Sequence, residues 1–167
     1  MDTLADHLWQ RRCGLKLRAL TNRFYYQERQ RIFESREGMV KIISILGGTV
    51  AFTKLMDPLS IQICASLITV SSVMSLVFGF GNKARDSAKR SAEWARLDHD
   101  IELGGETNFV ETDINQWAAR CSEIESSEPA QHPGLFERSY LRACEALGST
   151  PHESRFWRRI RPVILLH

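Results

Sequence analysis

An uncharged, apolar stretch dominates the pattern of hydrophobic and polar positions along this chain. No residue from Leu59 to Gly81 is charged, although charged residues make up 25% of the sequence. A helix of this length, rising about 1.5 Å per residue, reaches roughly 34 Å, which is enough to cross a bilayer with some tilt. A buried helix of a soluble protein usually keeps a polar face, and this stretch carries no charge on any side. The pattern therefore predicts a transmembrane span over residues 59–81.

A second apolar run, Met39–Met56, lies directly before the first. Its uncharged part is shorter, because Lys41 and Lys54 lie near its ends. Lysine side chains at helix ends can place the ammonium group at the membrane interface, so this run can still span. Only a tight turn at 56–58 separates the two runs. We therefore expect a two-helix transmembrane hairpin with spans at about 39–56 and 59–81.

Basic residues crowd both flanks of the predicted hairpin. Arg11–Lys41 contains nine Lys or Arg against three Glu, and Lys83–Arg96 contains five against two acids. Loops rich in Lys and Arg stay on the cytoplasmic side of a membrane, so both termini are expected in the cytoplasm. The block Asp98–Glu128 has the opposite balance, with nine acids and one Arg.

The rest of the sequence has the hydrophobic periodicity of helices, with capping residues, glycine or proline at their ends. Residues 2–37 predict one long helix, and residues 83–103 predict a second that ends at Gly104-Gly105. We expect these two helices to pack together beneath the membrane. Further helices are predicted from the capping pair Asn108/Glu111 to Glu125, over 135–147, and from Thr150 to Pro162.

The predicted fold class is an all-α membrane protein with a transmembrane hairpin and a cytoplasmic helical domain. The alternative is a soluble helical bundle that buries the apolar helices, and such a protein would purify without detergent. Three parts follow from the membrane interpretation: an N-terminal amphipathic basic helix (1–38), the hairpin (39–82) and a cytoplasmic helical domain with a basic-aromatic C-terminal segment (83–167).

The order of these parts resembles a known family. A helix carrying Arg23, Tyr25, Tyr26 and Arg29 runs into KIISILGGTVAF, and the second span is followed by ARDSAKRSAEWARLDHDIEL. This arrangement is similar to the SLATT family, the two-transmembrane effectors that accompany nucleotide-sensing systems in bacterial conflict and anti-phage defence. The resemblance covers roughly residues 8–147, and it is one of architecture because none of these features is a catalytic signature.

The resemblance implies an oligomeric effector in the bacterial inner membrane. Such an effector acts in abortive infection by forming a gated pore or disrupting the membrane once a nucleotide or nucleic-acid-type signal, made or held by a partner enzyme, is sensed. The resemblance implies lipid and other copies of the chain as partners, and we expect a ring-like homo-oligomer with four subunits as the working number. The alternative is a non-conducting membrane anchor that recruits a cytoplasmic partner.

A polar stripe runs along the second predicted span. Gln62, Ser66 and Thr69 follow the spacing i, i+4, i+7 and share one helix face, with Ser72 at its edge. Glutamine is costly in lipid unless it faces a partner or water. The stripe can line a pore in a ring of subunits, or it can join helices through hydrogen bonds.

Small residues cluster in two further segments, one in the first predicted span and one at the end of the second. Ser44, Gly47, Gly48 and Ala51 form small-xxx-small pairs that suit close helix packing, with a hinge as the alternative. Gly79 and Gly81 belong to a G-x-G-x-x-A pattern that imitates a dinucleotide-binding loop. That loop needs a short strand within a βαβ unit, and the preceding run is far too long, so we interpret these glycines as a gate hinge.

Charged clusters near the C-terminus offer candidate binding surfaces. The acidic block can attract cations to a cytoplasmic vestibule, or it can be a solvated helix surface. The segment RFWRRIR can bind an anionic ligand, nucleic acid or lipid headgroups, or it can dock onto the acidic block of a neighbouring copy. Its candidate binding residues are Arg155, Trp157, Arg158, Arg159 and Arg161.

No enzyme motif is present in the sequence. There is no nucleophile elbow, phosphate-binding loop or zinc-protease signature, and Asp98-His99-Asp100 is interpreted as solvated helix. The four cysteines are widely spaced without a CxxC pair, so we expect reduced thiols rather than disulfides or a zinc site. We therefore expect a non-enzyme without a cofactor or metal.

Overall fold

A computed structural model describes residues 2–52 and 58–150 of the chain. Every regular element in these ranges is an α-helix, and no strand is present among them. The all-α prediction is therefore confirmed for the described part of the chain. Its helices are α1 (Asp2–Phe52), α2 (Pro58–Phe78), α3 (Phe80–Leu103), α4 (Glu111–Ser126) and α5 (Pro133–Ala146).

The described residues divide into two compact units. The polar unit contains residues 2–28 and 87–150, and the apolar unit contains residues 29–52 and 58–86. Helices α1 and α3 each contribute residues to both units. Each unit has its own packing and is described by itself.

Helix α1 continues through Gly38, where the sequence places the junction between the basic helix and the first apolar run. Residues 2–52 contain no proline, so no backbone donor is missing from the helix. A glycine in a helix interior costs only about 1 kcal/mol relative to alanine. The change from charged to apolar side chains therefore occurs within one uninterrupted helix.

The core of the polar unit forms where α3, α4 and α5 pack against the first part of α1. Trp94 and Ile101 of α3 are fully inaccessible, as are Tyr25 of α1 and Ile114 of α4. Ser91 of α3 donates a long hydrogen bond of 3.5 Å to a carbonyl of α1. In this unit the two helices predicted to pack together do so.

Three ion pairs join α1 to the acidic block of the same chain. They link Arg23 to Asp98 at 3.2 Å, Lys16 to Glu102, and Arg18 to Glu125. The pairs are partly exposed, and ion pairs at a protein surface contribute only about 0–1 kcal/mol each. Part of the acidic block is therefore paired with the chain's own basic helix.

Two predicted helix starts are wrong by about two residues. Helix α4 begins at Glu111 with Val110 at the cap, so the predicted Asn108/Glu111 pair does not form. Instead, the Asp113 carboxylate accepts a hydrogen bond of 2.9 Å from the Val110 amide. Helix α5 begins at Pro133, whose missing N–H costs nothing in the first helical position. The Leu135 amide donates to Nδ1 of His132 at its cap.

The last predicted helix and its binding candidates cannot be compared with the structure. The segment RFWRRIR, which contains Arg155, Trp157, Arg158, Arg159 and Arg161, lies outside the described residues.

We predict that Ile101→Ala destabilises the polar unit far more than Leu103→Ala. Both residues lie in α3, but Ile101 is fully buried whereas Leu103 is 73% exposed. Truncation in a core removes about 2–5 kcal/mol, and surface changes usually stay within about 0.5 kcal/mol. Unfolding midpoints followed by tryptophan fluorescence compare the two variants directly. Equal midpoints would contradict the packing described here.

Candidate functional site

The surface of the apolar unit is covered with large hydrophobic side chains. Helix α2 exposes Leu76 by 83% and Val77 by 73%, and α1 exposes Ile45 by 67%. Single exposed hydrophobic residues are ordinary, but a contiguous apolar surface marks a protein–protein or membrane contact. Other large side chains on this surface are Met39, Ile42, Ile43, Leu46, Leu59, Ile63, Leu67, Val70, Val73 and Met74.

One helical stretch in the described residues is long and apolar enough to cross a membrane. It is Ala65–Leu103, and its most apolar 18-residue window has a mean hydropathy of 1.4. The core helix of a soluble protein can have the same composition, but it would be mostly buried, and this window is 11% buried. A membrane-spanning helix is thus supported by length and composition.

The stretch contains a single irregular residue at Gly79. Its φ of +56° lies in the left-handed region, and this residue separates α2 from α3. Backbone hydrogen bonds of 3.0 Å continue on both sides, from Gly79 N–H to Ser75 and from Lys83 N–H to Gly79. Gly81 lies close to α1, since a Cβ at this position would be 2.8 Å from a Glu37 carboxylate oxygen.

Helix α1 runs antiparallel to α2 and the start of α3 within the apolar unit. Phe33 stacks against Phe80, and further along α1 the Ser44 hydroxyl lies 3.5 Å from that of Ser71. Ser44 therefore lies at a contact between α1 and α2, and its small side chain allows the two helices to approach closely. Gly47, Gly48 and Ala51 lie in the last turns of α1, and their surroundings are outside the description.

The polar stripe faces away from α1. At about 100° per residue, Gln62, Ser66 and Thr69 lie roughly opposite Ser71, the residue that contacts α1. All three stripe side chains are exposed, whereas Ser71 is buried. Ser72 is also exposed, about a quarter turn from Ser71. The stripe therefore cannot serve the contact between α1 and α2 of one chain.

Of Gln62, Ser66 and Thr69, only Gln62 makes no side-chain hydrogen bond within the helix, and the Ser72 hydroxyl at the edge likewise makes none among the described residues. The Ser66 and Thr69 hydroxyls each donate a hydrogen bond of 2.9 Å to the carbonyl four residues earlier. The side-chain amide of Gln62 has no hydrogen-bond partner among the residues that the structure describes. Gln62 is thus the strongest candidate for contact with water or another chain.

A phenylalanine stack fills the small core of the apolar unit. Phe33 is fully buried and Phe80 nearly so, and their ring centroids are 6.5 Å apart. Phe78 extends the stack, at 5.6 Å from Phe80. Ala84 and Val40 pack against the same rings. The stack lies at the junction of α2 and α3, beside Gly79.

The polar unit contains a partly buried hydrogen-bond network that sequence analysis missed. Trp94 Nε1 donates to Glu128 at 2.6 Å, and Gln131 donates to Asn22 at 3.0 Å. The amide of His132 donates to the Tyr25 hydroxyl at 3.0 Å. These contacts fasten the α4–α5 connection onto α1 and α3. The only sequence signal was a polar loop around Pro129, which does not identify partners.

Titratable groups in the polar unit show the effect of burial. Burial raises the pKa of the Cys121 thiol to about 11, so this thiol is neutral near pH 7. Burial, reinforced by the negative charge of Glu128, also raises the pKa of Tyr26. Cys13 and Cys144 are likewise free thiols. No group of three metal-binding side chains occurs within the described ranges.

No family model, curated protein or solved structure matches this chain.

We predict opposite effects for two glycine-to-alanine changes in the apolar unit. Gly79→Ala is expected to lower stability by about 1–2 kcal/mol, because an alanine at a φ of +56° is strained. Gly38→Ala is expected to raise stability by up to about 1 kcal/mol, because Gly38 lies inside α1 with open space around it. Thermal unfolding in detergent measures both changes. A stabilising Gly79→Ala would show that this position is not held in the left-handed region.

Proposed function

We propose that this chain is a homo-oligomeric effector of the bacterial inner membrane that forms a gated pore. In this proposal α2 and the end of α1 form a transmembrane hairpin with both termini in the cytoplasm. The observation that carries the proposal is the arrangement of α2. Its apolar side chains are largely exposed, and its polar stripe faces away from α1.

The position of Gln62 favours a role between subunits. An exposed amide in lipid costs several kcal/mol unless it meets water or another polar group. The described contact of α1 with α2 does not supply that group, because it lies at Ser71, on the opposite side of α2. A ring of copies that turn this face inward gives Gln62 an aqueous lumen or a neighbouring polar side chain.

The trigger in this proposal is a nucleotide or nucleic-acid-type signal in anti-phage defence. It comes from the resemblance in the order of parts to SLATT effectors. Gly79 supports gating physically, since a left-handed residue between two helices gives them a point of rotation. The working subunit number of four belongs to the same proposal.

A non-conducting anchor is the second candidate function. The observation in its favour is that Ser66 and Thr69 already satisfy their hydroxyls within α2. A stripe in which these two hydroxyls are satisfied can lie in lipid, apart from Gln62 and Ser72. The two candidates differ in whether ions cross the membrane.

Ion flux through reconstituted protein separates the two candidates. We expect purified chain in planar bilayers to give discrete conductance steps, tested over a range of voltages and with added nucleotides. Replacing Gln62 and Ser66 together by Leu should abolish these steps or change their size, because it makes the stripe apolar. The matched variant Gln62→Asn keeps an amide on the same face and should retain conductance.

Two results would contradict the pore. One is the absence of ion flux from a stable oligomer under every condition that activates the protein in cells. The other is an unchanged conductance step in the Leu double variant. Cellular activity that survives the Leu double variant would support the anchor.

A further inference from the structure

Three cationic side chains surround the phenylalanine stack of the apolar unit. The Arg29 guanidinium lies 5.6 Å from the centre of the Phe33 ring, and Lys83 Nζ lies 5.9 Å from it. Arg36 lies 6.0 Å from the centres of both Phe33 and Phe80. We call Arg29, Arg36 and Lys83, with the two rings, the basic-aromatic collar.

The collar is ordered by its own packing. A guanidinium or ammonium group over an aromatic face is attracted by about 0.5–1 kcal/mol or more. All three cations are half-buried, and the Nε atom of Arg29 is itself inaccessible. The side chains are therefore held in a defined arrangement before any ligand arrives.

The position of the collar selects the kind of ligand. It lies where the apolar side chains of α2 give way to the charged start of α3. Residues 29–41 and 83–86 together carry six Lys or Arg and three acids. An anion that meets the collar therefore meets net positive charge on one side and an apolar surface on the other. An anionic phospholipid matches both features, because its phosphate headgroup suits the positive charge and its acyl chains suit the apolar surface.

We propose that the basic-aromatic collar binds the headgroup of an anionic phospholipid, with the acyl chains lying along α2. This inference rests on the proposed membrane location. The phosphate oxygens accept hydrogen bonds from Arg36 and Lys83 at the edge of the rings, and Arg29 adds positive charge from one turn earlier. No covalent step is involved.

The test is native mass spectrometry of detergent-purified chain with added phosphatidylglycerol or phosphatidylcholine. We expect phosphatidylglycerol to bind at least about fivefold more tightly than phosphatidylcholine, and the double variant Arg36→Gln/Lys83→Gln to lose that preference. Circular dichroism checks that the variant remains folded.

Arg31→Gln is the matched control. Arg31 is exposed and lies on the side of α1 away from the face shared by Phe33 and Arg36, so its loss removes one charge without touching the rings. The control should keep the preference. An equal loss in Arg31→Gln would overturn the collar as a site, because it would indicate attraction to overall charge alone.

Two other outcomes would also overturn the inference. Equal binding of the two lipids would do so while leaving the membrane location intact, since the chain would still require detergent. Displacement of the lipid by millimolar inorganic phosphate would show a site for a free anion rather than for a headgroup. A chain that is stable without detergent would instead refute the proposed function.

Discussion

The apolar surface of α2 is the constraint on which the arrangement of this protein depends. Each large apolar side chain left in water costs about 1.5–3 kcal/mol relative to burial, and α2 exposes many of them on several sides. Helix α1 contacts one side of α2, where Ser44 meets Ser71. In the proposed membrane protein, lipid and other copies of the chain cover the rest. The polar stripe opposite α1 gives this uncovered surface one hydrophilic face, which in the proposed ring of subunits faces the lumen or a neighbouring copy.

Charge segregation along the sequence has a structural explanation that sequence analysis left open. The basic first half of α1 and the acidic block attract each other within the polar unit, as Arg23 and Asp98 do. Part of the acidic block is therefore neutralised by the chain's own basic helix. Asp98 pairs with Arg23 and not with the adjacent His99. The basic residues nearer the apolar run have a different environment, because Arg36 and Lys83 lie over aromatic rings. The same kind of charge therefore pairs mainly with carboxylates in the polar unit and lies over aromatic rings in the apolar unit.

The features predictable from sequence were those set by local periodicity and by composition. The apolar helix was evident because no charge interrupts it, and the helices of the polar unit followed from their periodicity. The start of α4 was misplaced because Asn108/Glu111 and Val110/Asp113 have the same spacing, and only tertiary packing chooses between them. The link from Trp94 to Glu128 joins residues 34 positions apart, so no local pattern reveals it. Helical spacing did identify the face shared by Gln62, Ser66 and Thr69. Its direction relative to α1 depended on the Ser44–Ser71 contact, which only the fold provides.

Extraction of bacterial membranes at alkaline pH tests the proposed integration of this chain into the membrane. Peripheral proteins leave the membrane under this treatment, whereas chains that span it stay and need detergent. We expect the expressed chain to remain in the washed pellet and to dissolve only in detergent. Release of the folded chain into the alkaline wash would contradict it, because the exposed surface of α2 would then be covered by protein alone.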